Sequence, residues 1–565
     1  MVCRNYLHPL FVLLFVISIF LLMICLTSSD AQQGKPVEGK TGMVASAHPL
    51  SSKIGLEILK KGGNAVDAAV ATAFGLGVAE PNASGLGGGG FILIYLAKTK
   101  EIITLDYREM APLKATPDMY RLTADGKVVE EEITVGHKAV AVPGTLAGLT
   151  LALGKYGTMS LKEIMAPAIQ LAEEGYSVSK TLNGLMKENY EKISKFPPAA
   201  QIYLKEGLPY EIGDKIYLKD LAKTYRMIAD KGPDVFYKGE IAEAIEKEMK
   251  ASGKGLIARE DLAAYRPVFR TPVRGSYRGY EIVSMFPPSS GGTHVIQLLN
   301  ILEGYDLAAL GHNTSASLHL MAEAMKRVFA DRSKYMGDPD FVQVPVKGLT
   351  SKKYAAELRQ GISPEKGAEK VPAGNPVPYE SGGTSHISVV DKDGNLVALT
   401  QTINYFFGSG VLVPGTGILL NNEMDDFVPK PGALNSIEPG KRPLSSMSPT
   451  LVLKDGKPLL SIGSPGATRI ISALAQILVN IIDHRMNIQE AIEAARIHCM
   501  TGEIFMESRI PKDVQQALIK KGHKVTVRKD FDLYFGGAQG VMIDPKTGTL
   551  YGGADPRRDG FAIGY

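Results

Sequence analysis

Thr384 stands where a nucleophile could be made rather than simply placed. It follows Ser381-Gly382-Gly383 and opens the strand-like run Thr384-Ser385-His386-Ile387-Ser388-Val389-Val390-Asp391. Inside a chain a threonine hydroxyl attacks poorly, because its proton needs a nearby base. Cutting the Gly383–Thr384 peptide would supply that base on the same residue, a free α-amine with an ordinary pKa of about 7.7–8.0. Gly383 has no Cβ to obstruct attack of the hydroxyl on its carbonyl, and it tolerates the strained backbone that an N-to-O acyl shift requires. Thr is stiff about χ1, which holds the hydroxyl in one direction. A Gly-Gly-Thr ahead of a strand is usually a loop end, so the motif alone does not decide. Ser290-Gly291-Gly292-Thr293-His294 is nearly the same string and serves as a control. There Val295, Leu298, Leu299 and Leu302 follow at helical spacing, so Thr293 begins a helix and Thr384 is the better candidate. His386 shares the strand face of Thr384 and could pass for the base; with the amine in that role, His386 is read as structural.

The elements that would position this residue are legible around it. Apolar residues recur at helical spacing from Ser51 to Leu76, broken by Lys60-Lys61-Gly62-Gly63-Asn64, which predicts two helices, the second Ala-rich and closely packed. Ser84-Gly85-Leu86-Gly87-Gly88-Gly89-Gly90 then leads into Phe91-Ile92-Leu93-Ile94-Tyr95-Leu96, a buried strand. Gly85, Gly87 and Gly90 match the dinucleotide fingerprint G-x-G-x-x-G. Here, however, a helix precedes and a strand follows, the reverse of the order that puts a phosphate on a helix N-terminus. Close backbone packing is the reading that remains. Helices are expected over most of 140–270, including Leu146–Tyr156, Leu161–Glu174 and Ile241–Met249, and again over Leu318–Tyr335. Between Gly361 and Gly383 the composition turns to Pro, Gly, Lys and Glu, a surface linker. Ser385–Asp391 and Leu396–Ile403 read as two strands joined by the turn Asp391-Lys392-Asp393-Gly394-Asn395.

A chain of 565 residues with 45% hydrophobic and 22% charged content can bury a large core. With 63 Lys+Arg against 59 Asp+Glu the net charge of +4 gives no argument for a nucleic-acid partner, and none is expected. Arg4 and His8 precede an uncharged apolar run from Pro9 to about Leu26, and Ser29 and Ala31 are small. This predicts a signal peptide over 1–31, cut near Ala31, and a periplasmic or extracellular protein. The alternative is an uncleaved anchor, since the run approaches the ~17–25 residues that span a bilayer. Cys3 and Cys25 fall in the leader, which leaves Cys499 alone and rules out an internal disulfide in the mature protein. With no Cys-rich cluster and no H-E-x-x-H, no metal or other cofactor is expected.

Thr384–Asp391, Leu419–Phe427, Arg442–Thr450 and Gly463–Gly466 resemble the small-subunit blocks of the gamma-glutamyltransferase (gamma-glutamyltranspeptidase) family, and Asn64–Ala69, Asp106–Pro112 and Pro287–Gly292 its large-subunit blocks. The resemblance implies an N-terminal-nucleophile hydrolase, a four-layer αββα sandwich. It is made as a precursor that cuts itself between Gly383 and Thr384 into a large subunit, 32–383, and a small subunit, 384–565, which stay associated. Thr384 would attack a γ-glutamyl amide such as glutathione, release the amine and pass the acyl group to an amino acid, a peptide or water. By the same resemblance Thr402 stands beside the nucleophile, and Gly466 and Ala467 form the oxyanion pair. Arg108 with Ser445 and Ser446 holds the donor's α-carboxylate, and Asn404, Glu423 and Asp426 hold its α-ammonium.

The charge types fit, because both ends of an amino acid are costly to desolvate without opposite charge or hydrogen bonds. A guanidinium fork also suits a carboxylate as Lys does not. Outside these blocks Arg108 would read as a surface ion pair and Asp425-Asp426 as a helix or turn cap. Ala467 departs from the glycine common at its position; its N–H can serve provided its φ is not positive. Only residues 428–441 separate Phe427 from Arg442, shorter than in members with an active-site lid. An open cleft admitting bulky donors such as poly-γ-glutamate is therefore expected. A cephalosporin or glutaryl acylase of the same fold is the alternative, opposed by Glu423, Asn404 and Asp426, since its donor carries no α-ammonium. A non-catalytic exported amino-acid-binding protein is the alternative from another class, and it would remain uncut.

Overall fold

The computed structural model describes residues 34–369, 371 and 383–565, so the leader and most of the linker lie outside the described residues. In chain order the strands of the two seven-stranded sheets are β1 (Val37–Gly39), β2 (Met43–Ser46), β3 (Gly89–Leu96), β4 (Glu101–Tyr107), β5 (Val268–Arg270), β6 (Val273–Tyr277) and β7 (Tyr280–Ser284). They continue with β8 (Gly383–Val390), β9 (Leu396–Asn404), β10 (Thr450–Lys454), β11 (Lys457–Gly463), β12 (Gln539–Ile543), β13 (Leu550–Ala554) and β14 (Phe561–Gly564). One sheet runs β14-β2-β8-β9-β3-β4-β5, the other β1-β13-β12-β11-β10-β7-β6. Neighbours within each are antiparallel.

Period-two alternation gives the first sheet two apolar faces, and each must be covered. Ile92, Ile94, Ile387, Val389, Val397 and Leu399 enter one core; Phe91, Leu93, Val390, Leu396 and Ala398 enter the other. The first core is closed by the helices α1 (Pro49–Lys60) and α2 (Ala65–Ala79), with α3 (Thr145–Tyr156), α4 (Leu161–Glu174) and α5 (Glu240–Ala251) beyond them. The second holds Leu451, Leu460 and Ile462 of the facing sheet, which is covered in turn by α6 (Gly291–Leu302), α7 (Ser315–Tyr335) and α8 (Arg469–Ile482). The architecture is the expected αββα sandwich. The helix ends follow the sequence signals: α2 starts at a capping box between Asn64 and Asp67 and is buried on every side. Thr293 lies inside α6, as the control string predicts.

The glycine run before β3 is a close-packing device. A Cβ on Gly88 would stand 1.8 Å from the Thr402 carbonyl oxygen, and one on Gly87 would stand 2.0 Å from that of Leu419. Both neighbours are backbone and cannot swing aside. Gly88→Ala is therefore expected to cost about 3 kcal/mol or more, read as a lowered urea midpoint together with impaired processing. A variant of unchanged midpoint would contradict this account of the run.

Candidate active site

Thr384 and Thr402 face one another across the β8–β9 hairpin, where the pairing register slips between Gly383 and Thr384. Their hydroxyl oxygens are 3.2 Å apart, and Thr402 Oγ1 also accepts from the Asn404 amide at 2.8 Å. Two strand residues further on, His386 is fully buried between the sheets, 2.8 Å from Thr400 Oγ1 and 3.1 Å from Ser388 Oγ. Burial lowers its pKa to about 3, so the ring is neutral at physiological pH and occupied by these hydroxyls, in keeping with a structural role.

The backbone of Thr384 is held from both ends of the chain. Arg558 Nη1 donates to the Thr384 carbonyl at 2.7 Å and stands 3.4 Å from Glu80 Oε1. Ser385 Oγ, on the opposite strand face, donates to Glu80 Oε2. Desolvation pushes Glu80 up to about 7 and lowers Arg558, while each favours the charge of the other. This clamp acts on atoms C-terminal to the Gly383–Thr384 peptide, so the threonine stays in register whether or not that bond is intact.

After β11 the chain passes through Ser464-Pro465-Gly466-Ala467 into α8. Gly466 has φ +130° and Ala467 φ +50°, so the condition set on Ala467 is not met. A glycine enters this left-handed region freely, whereas Ala467 is strained there by about 1–2 kcal/mol. Both amides precede the positive end of a helix, where a developing oxyanion is favoured. Ala467→Gly is expected to raise stability by about 0.5–1 kcal/mol, the relief of strain being partly offset by the flexible unfolded chain. A fall in thermal midpoint would contradict it.

One pocket gathers the expected side chains: Thr384, Thr402, Ala467, Arg108, Asn404, Glu423, Asp426, Ser445 and Ser446 all line it. Gly466 is not among its lining residues. Arg332, Met447 and Ile470 also line it, and these were not singled out in the sequence.

Arg108 is no surface residue. It follows β4, its N–H donates to Asp106 Oδ1 at 2.9 Å, and its carbonyl accepts from Tyr265 Oη at 2.9 Å. The buried guanidinium bonds Asp426 and the Leu444 carbonyl, lies 2.7 Å from Glu423 Oε2, and reaches Glu109 Oε2 at 3.4 Å. Glu109 was missed because a charged neighbour in sequence says nothing of burial. Glu423 is wholly buried, and neither of its oxygens accepts a hydrogen bond among the described residues. Asn404 adopts φ +69°, which Asn tolerates, and its Nδ2 donates to the Asn422 carbonyl at 3.1 Å, leaving Oδ1 as an acceptor. The short segment 428–441 is tied down by Asn435, which donates to the Asp426 carbonyl at 2.6 Å and accepts from the Leu444 amide at 3.1 Å.

Three carboxylates around one arginine cannot all ionise cheaply. Burial raises Glu423 well above the usual carboxylate range, with Arg108 opposing, and brings Glu109 up to about 7. Relative to the unfolded chain the cluster thus binds extra proton. The contribution of Glu109 is full below the ordinary carboxylate pKa and is lost as pH rises through about 7, and that of Glu423 is lost at a pH likewise above the usual carboxylate range. An ammonium ligand favours the ionised form and must displace that proton. Donor binding is therefore expected to release protons from Glu423, with the donor KM rising as pH falls. Calorimetry in buffers of different ionisation enthalpy measures the release, and identical heats in all buffers would contradict it.

Among the described residues, His319, Glu323 and His523 are a group whose spacing could hold a metal. His319 lies about 20 Å along α7 from Arg332 at 1.5 Å per residue. Lys326 and Arg327 bond Glu323 at 2.7 and 2.9 Å, and the two imidazoles bond each other at 2.7 Å. A carboxylate already matched by two cations suits an ion-paired cluster better than a metal.

Comparison with known proteins adds an independent line. The family model described as Gamma-glutamyltranspeptidase matches residues 51–565. The glutathione hydrolase proenzyme of Escherichia coli strain K12 is 46% identical over 546 residues, 94% of this chain and 93% of its own. The acylase ACY 1 proenzyme of Pseudomonas sp. strain SE83 is also 46% identical, over 534 residues and 94% of each chain. The crystal structure of a cephalosporin acylase from Bacillus halodurans superposes with a TM-score of 0.86 at 33% identity, covering 94% of this chain and 97% of that one. Overall identity does not separate the two activities, so the pocket must.

Proposed function

The chain belongs to the gamma-glutamyltranspeptidase family, and from that premise we propose that it is a glutathione hydrolase and γ-glutamyltransferase whose nucleophile is Thr384. The precursor cuts itself at Gly383–Thr384, giving subunits 32–383 and 384–565. The freed α-amine of Thr384 then takes the proton from Oγ1, which attacks the γ-carbonyl of the donor. The oxyanion is met by the N–H groups at 466 and 467. The amine proton passes to the leaving nitrogen, and a γ-glutamyl ester remains on Thr384. Water or the amino group of an amino acid or peptide then attacks the ester, giving up a proton through the same amine. Arg108, Ser445 and Ser446 receive the donor's α-carboxylate; Asn404, Glu423 and Asp426 receive its α-ammonium.

Glu423 carries this reading. It is a buried carboxylate in the pocket that holds the Thr384 hydroxyl, and it shares the single Arg108 guanidinium with Glu109 and Asp426, so the acidic cluster is suited to a further cation. A glutaryl donor brings none, whereas a γ-glutamyl donor brings an ammonium. L-γ-glutamyl-p-nitroanilide should therefore be turned over at least ~100-fold more efficiently than its glutaryl counterpart. A preference for the glutaryl compound would assign the chain to the acylases instead. A chain of full mature size on a denaturing gel, with no turnover, would favour the binding protein.

The short segment 428–441 supports a cleft open to bulky donors, so poly-γ-glutamate should compete with glutathione; acceptance of glutathione-sized donors alone would refute that. Removal of residues 1–31 and a periplasmic or extracellular location complete the proposal. Cell fractionation with N-terminal sequencing of the large subunit checks them.

A further inference from the structure

Arg332, near the C-terminal end of α7, lines the pocket beside Ser446, and no block of the family resemblance gives it a role. Its Nη2 donates to Ser446 Oγ at 2.9 Å and its Nε to Ser290 Oγ at 2.9 Å. Ser290 in turn grips the Ser445 carbonyl with its hydroxyl at 2.7 Å and its amide at 2.8 Å. Among the described residues no carboxylate lies within ion-pair distance of Arg332.

The contrast with Arg108 is decisive. That guanidinium faces Glu109, Glu423 and Asp426, one positive charge against three potential negative ones. The acidic cluster therefore attracts cations, and the guanidinium that receives the donor's carboxylate is shared with three acids. A donor that places its ammonium there gains from a further positive counterpart for its carboxylate beside the serines. Arg332 is a cation at that position whose charge nothing described matches. Because Ser446 Oγ accepts from Arg332, its own proton is free to be donated to a ligand.

We propose that Arg332 is the second cation of the donor site: it holds Ser446 as a hydrogen-bond donor toward the α-carboxylate of the γ-glutamyl group, and its unmatched charge attracts that carboxylate. The inference rests on the γ-glutamyl reading above and adds to it a residue that fixes which way round the amino-acid end of the donor lies.

The test compares Arg332→Gln and Arg332→Lys with the unmodified enzyme on two donors, L-γ-glutamyl-p-nitroanilide and 4-aminobutanoyl-p-nitroanilide, the second lacking only the α-carboxylate. Arg332→Gln should raise KM for the first donor about 10–100-fold with kcat changed less than about 3-fold. It should leave kcat/KM for the second within about 3-fold, since there is no carboxylate left to lose. Arg332→Lys, which keeps the charge without the fork, should recover part of the loss. Added salt should weaken donor binding by the unmodified enzyme more than by the Gln variant. Equal losses on both donors, or an unchanged KM for the glutamyl compound, would overturn the proposal. Should Arg332→Gln fail to fold, the Lys variant decides alone: its KM must rise on the glutamyl donor only. Failure of the γ-glutamyl reading would show elsewhere, as absent turnover of the glutamyl anilide by the unmodified enzyme.

Discussion

Thr384→Ala is expected to yield one uncut polypeptide without measurable γ-glutamyl turnover, while Thr384→Ser is cut slowly and keeps part of its activity. The hydroxyl is asked to act twice, first on the Gly383 carbonyl and then on the donor. Losing a hydrolytic nucleophile costs on the order of 10⁶-fold in kcat. Folding should survive, because the side chain is small, the Thr384 carbonyl is held by Arg558, and the next side chain, Ser385, is held by Glu80. Serine restores the hydroxyl but not the second branch at Cβ, so it samples more χ1 wells and presents its oxygen less often. Intact mass and N-terminal sequencing follow the cut; release of p-nitroaniline follows turnover. An Ala variant that still appears as two chains would mean that another protease makes the cut. An uncut Ala variant with full turnover would move the nucleophile elsewhere.

Much of the scaffold around Thr384 was legible because it is local. Helical spacing broken at Lys60–Asn64 delivers α1 and α2, alternation delivers β8 and β9, and the difference between period two and period 3.6 separates Thr384 from Thr293. The glycine run was read as close packing, and the Thr402 carbonyl supplies the reason. The electrostatics were not legible, since they arise from residues far apart in the chain. Arg108 looks like a surface ion pair until Glu423 and Asp426 are folded against it. Glu80 and Arg558 meet only through the closing strand of the sheet. Arg332 sits in the last turn of a helix, where a basic residue is already explained by the helix dipole, so nothing in the sequence pointed it at a pocket. The φ of Ala467 is equally silent, because the backbone angle is imposed by the β11–α8 turn and not chosen by alanine.

Glu423→Gln is expected to lower kcat/KM for γ-glutamyl donors about 30- to 3,000-fold, the equivalent of the 2–5 kcal/mol lost when one partner of a buried charge pair is neutralised. Gln keeps the shape of the side chain but offers the donor's ammonium no charge. Glutaryl donors, which carry no ammonium, should be affected far less, so the ratio between the two classes collapses. The same change should leave the unliganded protein about as stable as before, because burial already favours the neutral form of Glu423 there and Arg108 keeps Glu109 and Asp426 as partners. Reduced activity with an unchanged melting temperature is a pairing that misfolding cannot produce. Proton release on donor binding should shrink as well, since Glu423 no longer titrates. If the variant were destabilised and lost activity on glutaryl and γ-glutamyl anilides alike, Glu423 would be a structural partner of Arg108 and the ammonium would have to bind elsewhere in the pocket.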